Sequence, residues 1–280
     1  MSELAILIPT RGRPGNIRKV ISAWDFTNAW DDADMILIVD ADDPELAGYE
    51  AIERDFNAEA PVGSEPLKLV TMDEWMPMIH KLDQVAKLYA QTRAYFALGF
   101  AGDDHLPQTI GWAKRYLTVL RELGTGMVYG DDGYQGAKLR TEWAITADVV
   151  AALGRMIPAP VEHMYSDVAL LELMTAAGAV RHLPEVRIEH MHPVAGKAES
   201  DEQYKRVNHR DQFAKDRKDY EAWQRSGRTT DIATVRALRA GRPDERPPPR
   251  ALSGPSAAPR RGPPGAIRPS AGPARRPDRR

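Results

Sequence analysis

The chain has no cysteine in its 280 residues. That absence removes disulfides, thiolate zinc sites and thiol nucleophiles together, so any metal has to be held by carboxylate or imidazole. Long apolar runs are missing too: no window approaches the roughly 18 residues that a membrane helix needs. The N-terminal MSELAILIPTRGRP lacks the basic start, apolar stretch and cleavage site of a secretory signal. A soluble, cytoplasmic protein is expected.

Positive charge is scarce everywhere except at one end. Residues 241–280 carry ten arginines against three acids, a balance of +7, which leaves −9 on the preceding 240 residues. The same segment holds 11 of the 22 prolines and almost no large apolar side chains, so it cannot bury enough surface to offset its ordering entropy. A globular body over residues 1–240 followed by a disordered Pro/Arg-rich tail over 241–280 is expected. The tail could meet an anionic partner such as nucleic acid, or serve as a solubilising extension.

What is present in the body is a series of short apolar runs: LAILIP (4–9), MILIV (35–39), LKLV (67–70), YFALGF (95–100) and GMVY (126–129). Several are apolar throughout, as strands buried on both faces are. Between them the pattern predicts helices over GNIRKVISAWDF and MIHKLDQVAKLYAQTRAYF, and ELAGYEAIERDF reads as another, with Pro44 at its first position and Asp42 or Asp43 as its cap. Strands alternating with helices imply an α/β fold with a Rossmann-like, mostly parallel sheet.

The strands end in polar groups. LAILIP runs into Thr10 and Arg11, MILIV into Asp40, YFALGFAG into Asp103-Asp104-His105, and GMVYG into Asp131. In open α/β sheets ligands bind beyond the carboxyl ends of the strands, so these groups are expected to share a crevice. One aspartate after a strand serves as a helix cap or turn residue. Three crowded ligands in Asp103-Asp104-His105 are more than a cap uses, and a divalent cation would relieve their repulsion.

IPTRGRP, VDADDP and AGDDH, in that order, resemble the nucleotide-sugar glycosyltransferases of the GT-A fold, nearest to the family 2 type with its DxD motif; the likeness runs from about Leu4 to about His192. The resemblance implies transfer of a sugar from a nucleotide-diphosphate donor to an acceptor hydroxyl, with Mn²⁺ (or Mg²⁺) as cofactor. It implies a nucleotide-binding part over about 1–108, a metal-completing and acceptor part over about 109–200, and a C-terminal helix over about 200–226. Pro9, Thr10 and Arg11 would line the nucleotide pocket and Asp40 would bond the base. The metal motif departs from the family pattern, because Ala101 stands where the first acid of DxD would fall. Asp103 is a ligand in either register, DxD or the DxH variant, and Asp104 and His105 complete the candidate set.

VRIEHMHP (186–193) alternates so that His190 and His192 share a face of a strand. The family's C-terminal histidine completes the metal sphere, and His192 is preferred for that role. Lys197, in the loop that follows, is the candidate for the diphosphate. Asp167 opens an apolar-periodic helix, where the dipole alone favours an acid. The resemblance also makes it the general base of an inverting transfer, ahead of Glu162. Trp143, before a helix expected from about Ala147, and His163 are candidate acceptor contacts. The acceptor itself, glycan, protein, small molecule or modified DNA, is left open. Two other functions fit the sequence less well. A nucleotidyltransferase would open on a Gly-rich phosphate loop, where only GRPG is available. A nucleic-acid-binding protein acting through the tail would have a body whose −9 opposes it.

Overall fold

The computed structural model describes residues 2–133, 141–192, 196–197 and 209–241. The apolar runs form the strands. β1 (Leu4–Pro9) and β2 (Ala33–Asp40) are parallel neighbours, with Ile6 opposite Met35 and Ile8 opposite Leu37. β3 (Leu67–Met72) flanks β2 and β4 (Ala97–Phe100) flanks β1, both parallel. Side chains alternate across this sheet as strand geometry requires. Leu4, Ile6 and Ile8 enter one core layer, under α1 (Pro14–Thr27), α2 (Leu46–Glu59) and α4 (Trp112–Leu123). Ala5 and Leu7 enter the other, with α3 (Met78–Thr92), α5 (Ala147–Leu153) and α6 (Ser166–Ala176).

The sheet is mostly parallel, as expected, and its antiparallel pairings lie in the other half. The full order is β3-β2-β1-β4-β7-β6-β8-β5, and β7 (Trp143–Thr146) is antiparallel to both β4 and β6 (Met127–Asp131). The eleven residues between β6 and β7 are fewer than the dozen or more that a parallel crossover needs, and the chain returns antiparallel. β8 (Val180–His190) runs parallel to β6, with a register shift between Tyr129 and Asp131, and pairs antiparallel with the three-residue β5 (His105–Pro107).

Three boundaries differ from the sequence reading. The helix over MIHKLDQVAKLYAQTRAYF stops at Thr92, because Arg93 takes a left-handed conformation (φ 54°) that closes the helix end. The helix after VDADDP starts at Leu46, leaving Pro44 in the turn before it, where Asp43 Oδ1 accepts the Glu45 amide (2.8 Å). The expected C-terminal helix is followed by a second: α7 (Arg210–Ser226) and α8 (Arg228–Ala240) meet at Gly227. Residues 242–280, the expected tail, lie outside the described residues, as does most of the 193–208 loop.

Candidate active site at the strand ends

The carboxyl ends of β1, β2 and β4 open into a cleft of about 460 Å³. Thr10, buried at the end of β1, donates to Asp103 Oδ2 (2.7 Å) and contacts the Tyr49 hydroxyl (3.1 Å). Arg13 reaches Asp103 Oδ1 (3.1 Å), so both oxygens of Asp103 are engaged by the first loop. Burial pushes the Asp103 carboxyl above its ordinary pKa, against the pull of Arg13 and with the help of Asp104's like charge. Arg11 spans Asp40 (3.2 Å) and Asp42 (2.6 Å), and the Gly12 amide donates to Asp43 (2.9 Å). Asp42 and Asp43 therefore fasten the loop after β1 to the loop after β2. Gly12 supplies the left-handed turn (φ 68°) that brings its amide round.

Asp40 is fully buried and is matched by Lys81, whose Nζ lies 2.7 Å from each carboxylate oxygen. Lys81 stands within the buried stripe of α3, beside Leu82 and Val85. A charge inside an apolar stripe is a signal the sequence offered, because such a lysine needs a buried partner.

The metal-competent group is Asp104, His105 and His190, whose ligand atoms all lie within 4.8 Å of one another. The β5–β8 register sets His105 directly opposite His190, and the two rings stack with centroids 4.2 Å apart. His190 Nε2 is 3.3 Å from Asp104 Oδ2, and His105 Nδ1 lies 3.0 Å from Asp104 Oδ1 while also accepting the Gly102 amide (2.9 Å). His105 Nε2 and His190 Nδ1 are buried with no hydrogen-bond partner among the described residues. Burial, then the neighbouring His105, lowers the pKa of His190 and keeps it in the neutral form that ligates metals. Of the predicted ligands, Asp104 and His105 belong to this group and Asp103 sits beside it, tied to Thr10 and Arg13. His192 lies just past the strand end, edge-on to His190 at 4.8 Å. The partner of His105 is thus His190 rather than the preferred His192, because the strand ends one residue after Glu189 and only His190 is in register.

Asp167 stands in the first turn of α6 and lines the cleft, with Oδ1 accepting the Val168 amide (2.8 Å). Its rival Glu162 is held by Lys215 (3.0 Å) and Gln212 (3.1 Å). His163 lines the same cleft. Two expectations meet different surroundings. Trp143 borders the cleft, but it is 1% exposed and packs on Phe100, so most of its ring is in the core. Lys197 is paired with Glu189 (2.8 Å) and is not among the cleft-lining residues.

No family model and no curated protein matches the chain. Among solved structures, the mannosyltransferase PcManGT from Pyrobaculum calidifontis, in complex with GDP-Man and Mn²⁺, superposes with a TM-score of 0.55 at 15% identity. The match covers 84% of this chain and 73% of that one. S. aureus TarS (residues 1–349) gives a TM-score of 0.51 at 11% identity, covering 86% and 90%. The chain has a GT-A fold. In that fold the parallel half, β3-β2-β1-β4, carries Thr10, Arg11, Asp40 and Asp103, and the antiparallel half brings His190 to them.

The residues missed from sequence are mostly those whose partners are remote. Tyr49 joins Thr10 to the Arg13 amide, and burial raises its hydroxyl to about 12. Asp216 of α7 is fully buried and accepts the amides of Glu162 (2.9 Å), His163 (3.0 Å) and Met164 (2.7 Å). Nothing in the charged sequence around Asp216 marks it as buried.

Proposed function

We propose that the protein is a metal-dependent glycosyltransferase that takes a sugar from a nucleotide-diphosphate donor. The observation that carries this reading is one cleft shared by the β1, β2 and β4 ends, an Asp-His-His group and the acid that opens α6. The donor's base and ribose would lie over Pro9, Thr10, Arg11 and Asp40, with Asp40, held by Lys81, accepting from the base. Asp104, His105 and His190 would hold the cation, with Asp103 and His192 at its margin. Mixed oxygen and nitrogen donors suit Mn²⁺ better than the all-oxygen preference of Mg²⁺. When bound, the cation supplies Lewis-acid stabilisation of the charge that develops on the leaving diphosphate. Arg13 is the protein's own cation for that charge, a role the sequence had suggested for Lys197. That PcManGT binds GDP-Man with Mn²⁺ on the same fold supports the donor class.

Asp167 is the proposed general base, taking the proton of the acceptor hydroxyl as it attacks the anomeric carbon from the face opposite the leaving group. That geometry inverts the stereochemistry. Glu162, already engaged by Lys215 and Gln212, is the less available carboxylate. Loss of a general base costs about 10²- to 10⁴-fold in rate. The test is a thermal-shift and calorimetric screen of UDP-, GDP- and dTDP-sugars, with and without Mn²⁺, on the wild type, Asp104→Ala and His190→Ala. Metal-dependent stabilisation by one donor, lost in both variants, is expected. No response to any donor in the presence of metal would sink the proposal.

A further inference from the structure

A ring of hydrogen bonds closes on Arg13, and one of its members comes from outside the strand ends. Tyr49 belongs to α2 and is fully buried. Its neighbour Gly48 lets α2 approach the start of α1 closely, since a Cβ there would stand 3.3 Å from the Pro14 ring. That approach brings the Tyr49 hydroxyl against the loop after β1, where it accepts the Arg13 amide (2.7 Å) and meets Thr10 Oγ1 (3.1 Å). Thr10 donates to Asp103 Oδ2 (2.7 Å), and Asp103 Oδ1 takes the Arg13 guanidinium (3.1 Å).

The direction of the ring follows from counting protons, because a hydroxyl has one to give. Thr10 gives its own to Asp103, so the proton between Tyr49 and Thr10 is that of Tyr49. Burial raises the Tyr49 hydroxyl to about 12, and it keeps this proton throughout the neutral range. The bonds therefore run one way, from the Arg13 amide through Tyr49 and Thr10 to Asp103, which holds the other end of the same arginine. One circuit fixes Arg13 at its backbone and at its guanidinium. Tyr49, Thr10 and Asp103 are 0%, 5% and 6% exposed, so little water competes for these bonds, whereas Arg13 lines the cleft. Packing alone does not ask for the hydroxyl: a phenylalanine ring would fill the same space and leave the circuit open.

We propose that Tyr49 is a positioning residue for the donor's diphosphate, holding the Arg13 guanidinium in place through Thr10 and Asp103. The proposal rests on the glycosyltransferase reading and adds to it a residue that touches neither donor nor metal. A cation that is already in place stabilises a developing charge without having to reorganise. An arginine released from the ring has more rotamers to lose when the diphosphate arrives, which weakens binding. The ring also gives Asp103 a task apart from the metal, since both of its oxygens serve the loop after β1.

The test is calorimetry on the full chain, first with Mn²⁺ alone and then with UDP and GDP on the Mn²⁺-loaded protein. Tyr49→Phe removes one oxygen atom. It is expected to weaken whichever nucleotide the wild type binds by about three- to tenfold, the range of one hydrogen bond, and to leave Mn²⁺ affinity unchanged. Thr10→Val opens the ring at another link and should have the same effect, while Thr10→Ser, which keeps the hydroxyl, should bind as the wild type does. In an Arg13→Ala background Tyr49→Phe should cause no further loss, because the group it positions is gone. A residue that merely supports the fold would still weaken binding there. The proposal is overturned if Tyr49→Phe binds nucleotide like the wild type, if its loss is undiminished in the Arg13→Ala background, or if Mn²⁺ affinity falls along with it. If the wild type binds neither nucleotide in the presence of Mn²⁺, the glycosyltransferase reading falls first and this role of Tyr49 falls with it.

Discussion

Single residues in this protein are set by what their burial allows. Glu142 is buried, accepts a hydrogen bond from the Tyr116 hydroxyl (2.8 Å), and burial pushes its carboxyl up to about 8. In the unfolded chain the same group titrates near 4.5. Between these values the folded state holds a proton that the unfolded state has lost. The stabilisation from the neutral carboxyl is therefore complete below about pH 4.5 and is lost as pH rises towards 8, at up to about 1.4 kcal/mol per pH unit. Glu142→Gln, which has no proton to lose, should flatten that decline and melt at a higher temperature than the wild type at pH 8. Equal melting temperatures across pH 5 to 8 in the two proteins would show that Glu142 does not titrate as argued. Glu142, Lys81 and Asp216 share a property: their importance lies in remote partners, so their neighbours in sequence say little. Asp40, Asp103 and Asp167 were legible because a strand end or helix start marks each of them.

At the scale of elements, the tight turn between β4 and β5 decides whether the Asp-His-His group exists. A Cβ on Gly102 would stand 2.5 Å from Asp104 Oδ1 and 2.7 Å from His105 Nδ1. Gly102→Ala should therefore abolish Mn²⁺ binding by calorimetry, whereas a change at Gly15, whose Cβ direction is open, should not. The second such device is the grip of α7 on the 162–164 amides. Asp216→Ala leaves three buried donors without their acceptor, at about 1–3 kcal/mol for an unsatisfied group. Hydrogen exchange at Glu162, His163 and Met164 should accelerate selectively, and a uniform rise across the chain would instead mean global loosening. The sequence pattern gave β1 to the residue and missed β5. LAILIP has length and uniform apolarity, whereas three residues of HLP are too few for any periodicity to appear.

For the whole molecule, charge and composition divide the chain where tertiary contacts do not need to be known. Deleting residues 242–280 removes most of the +7 segment and none of the described residues that line the cleft. The truncated chain should keep the wild-type melting temperature and its nucleotide and Mn²⁺ response. Loss of either would give the tail a part in the fold or the site. No described helix is long and apolar enough to cross a membrane, in keeping with the short apolar runs of the sequence.

What the sequence by itself determined was local. Short apolar runs ending in acids specify buried strands with polar ends, since an uninterrupted apolar strand is stable only between two covered faces. The absence of cysteine leaves oxygen and imidazole as the ligands open to any metal. What only the tertiary structure decided was which of those groups meet. The antiparallel return of β7, the pairing of β5 with β8 and the docking of α7 are long-range choices made by packing. Through them His190 rather than His192 faces His105, and Lys81 finds Asp40. A one-residue change of strand register would turn His190 to the other face, and no local pattern reports that register in advance.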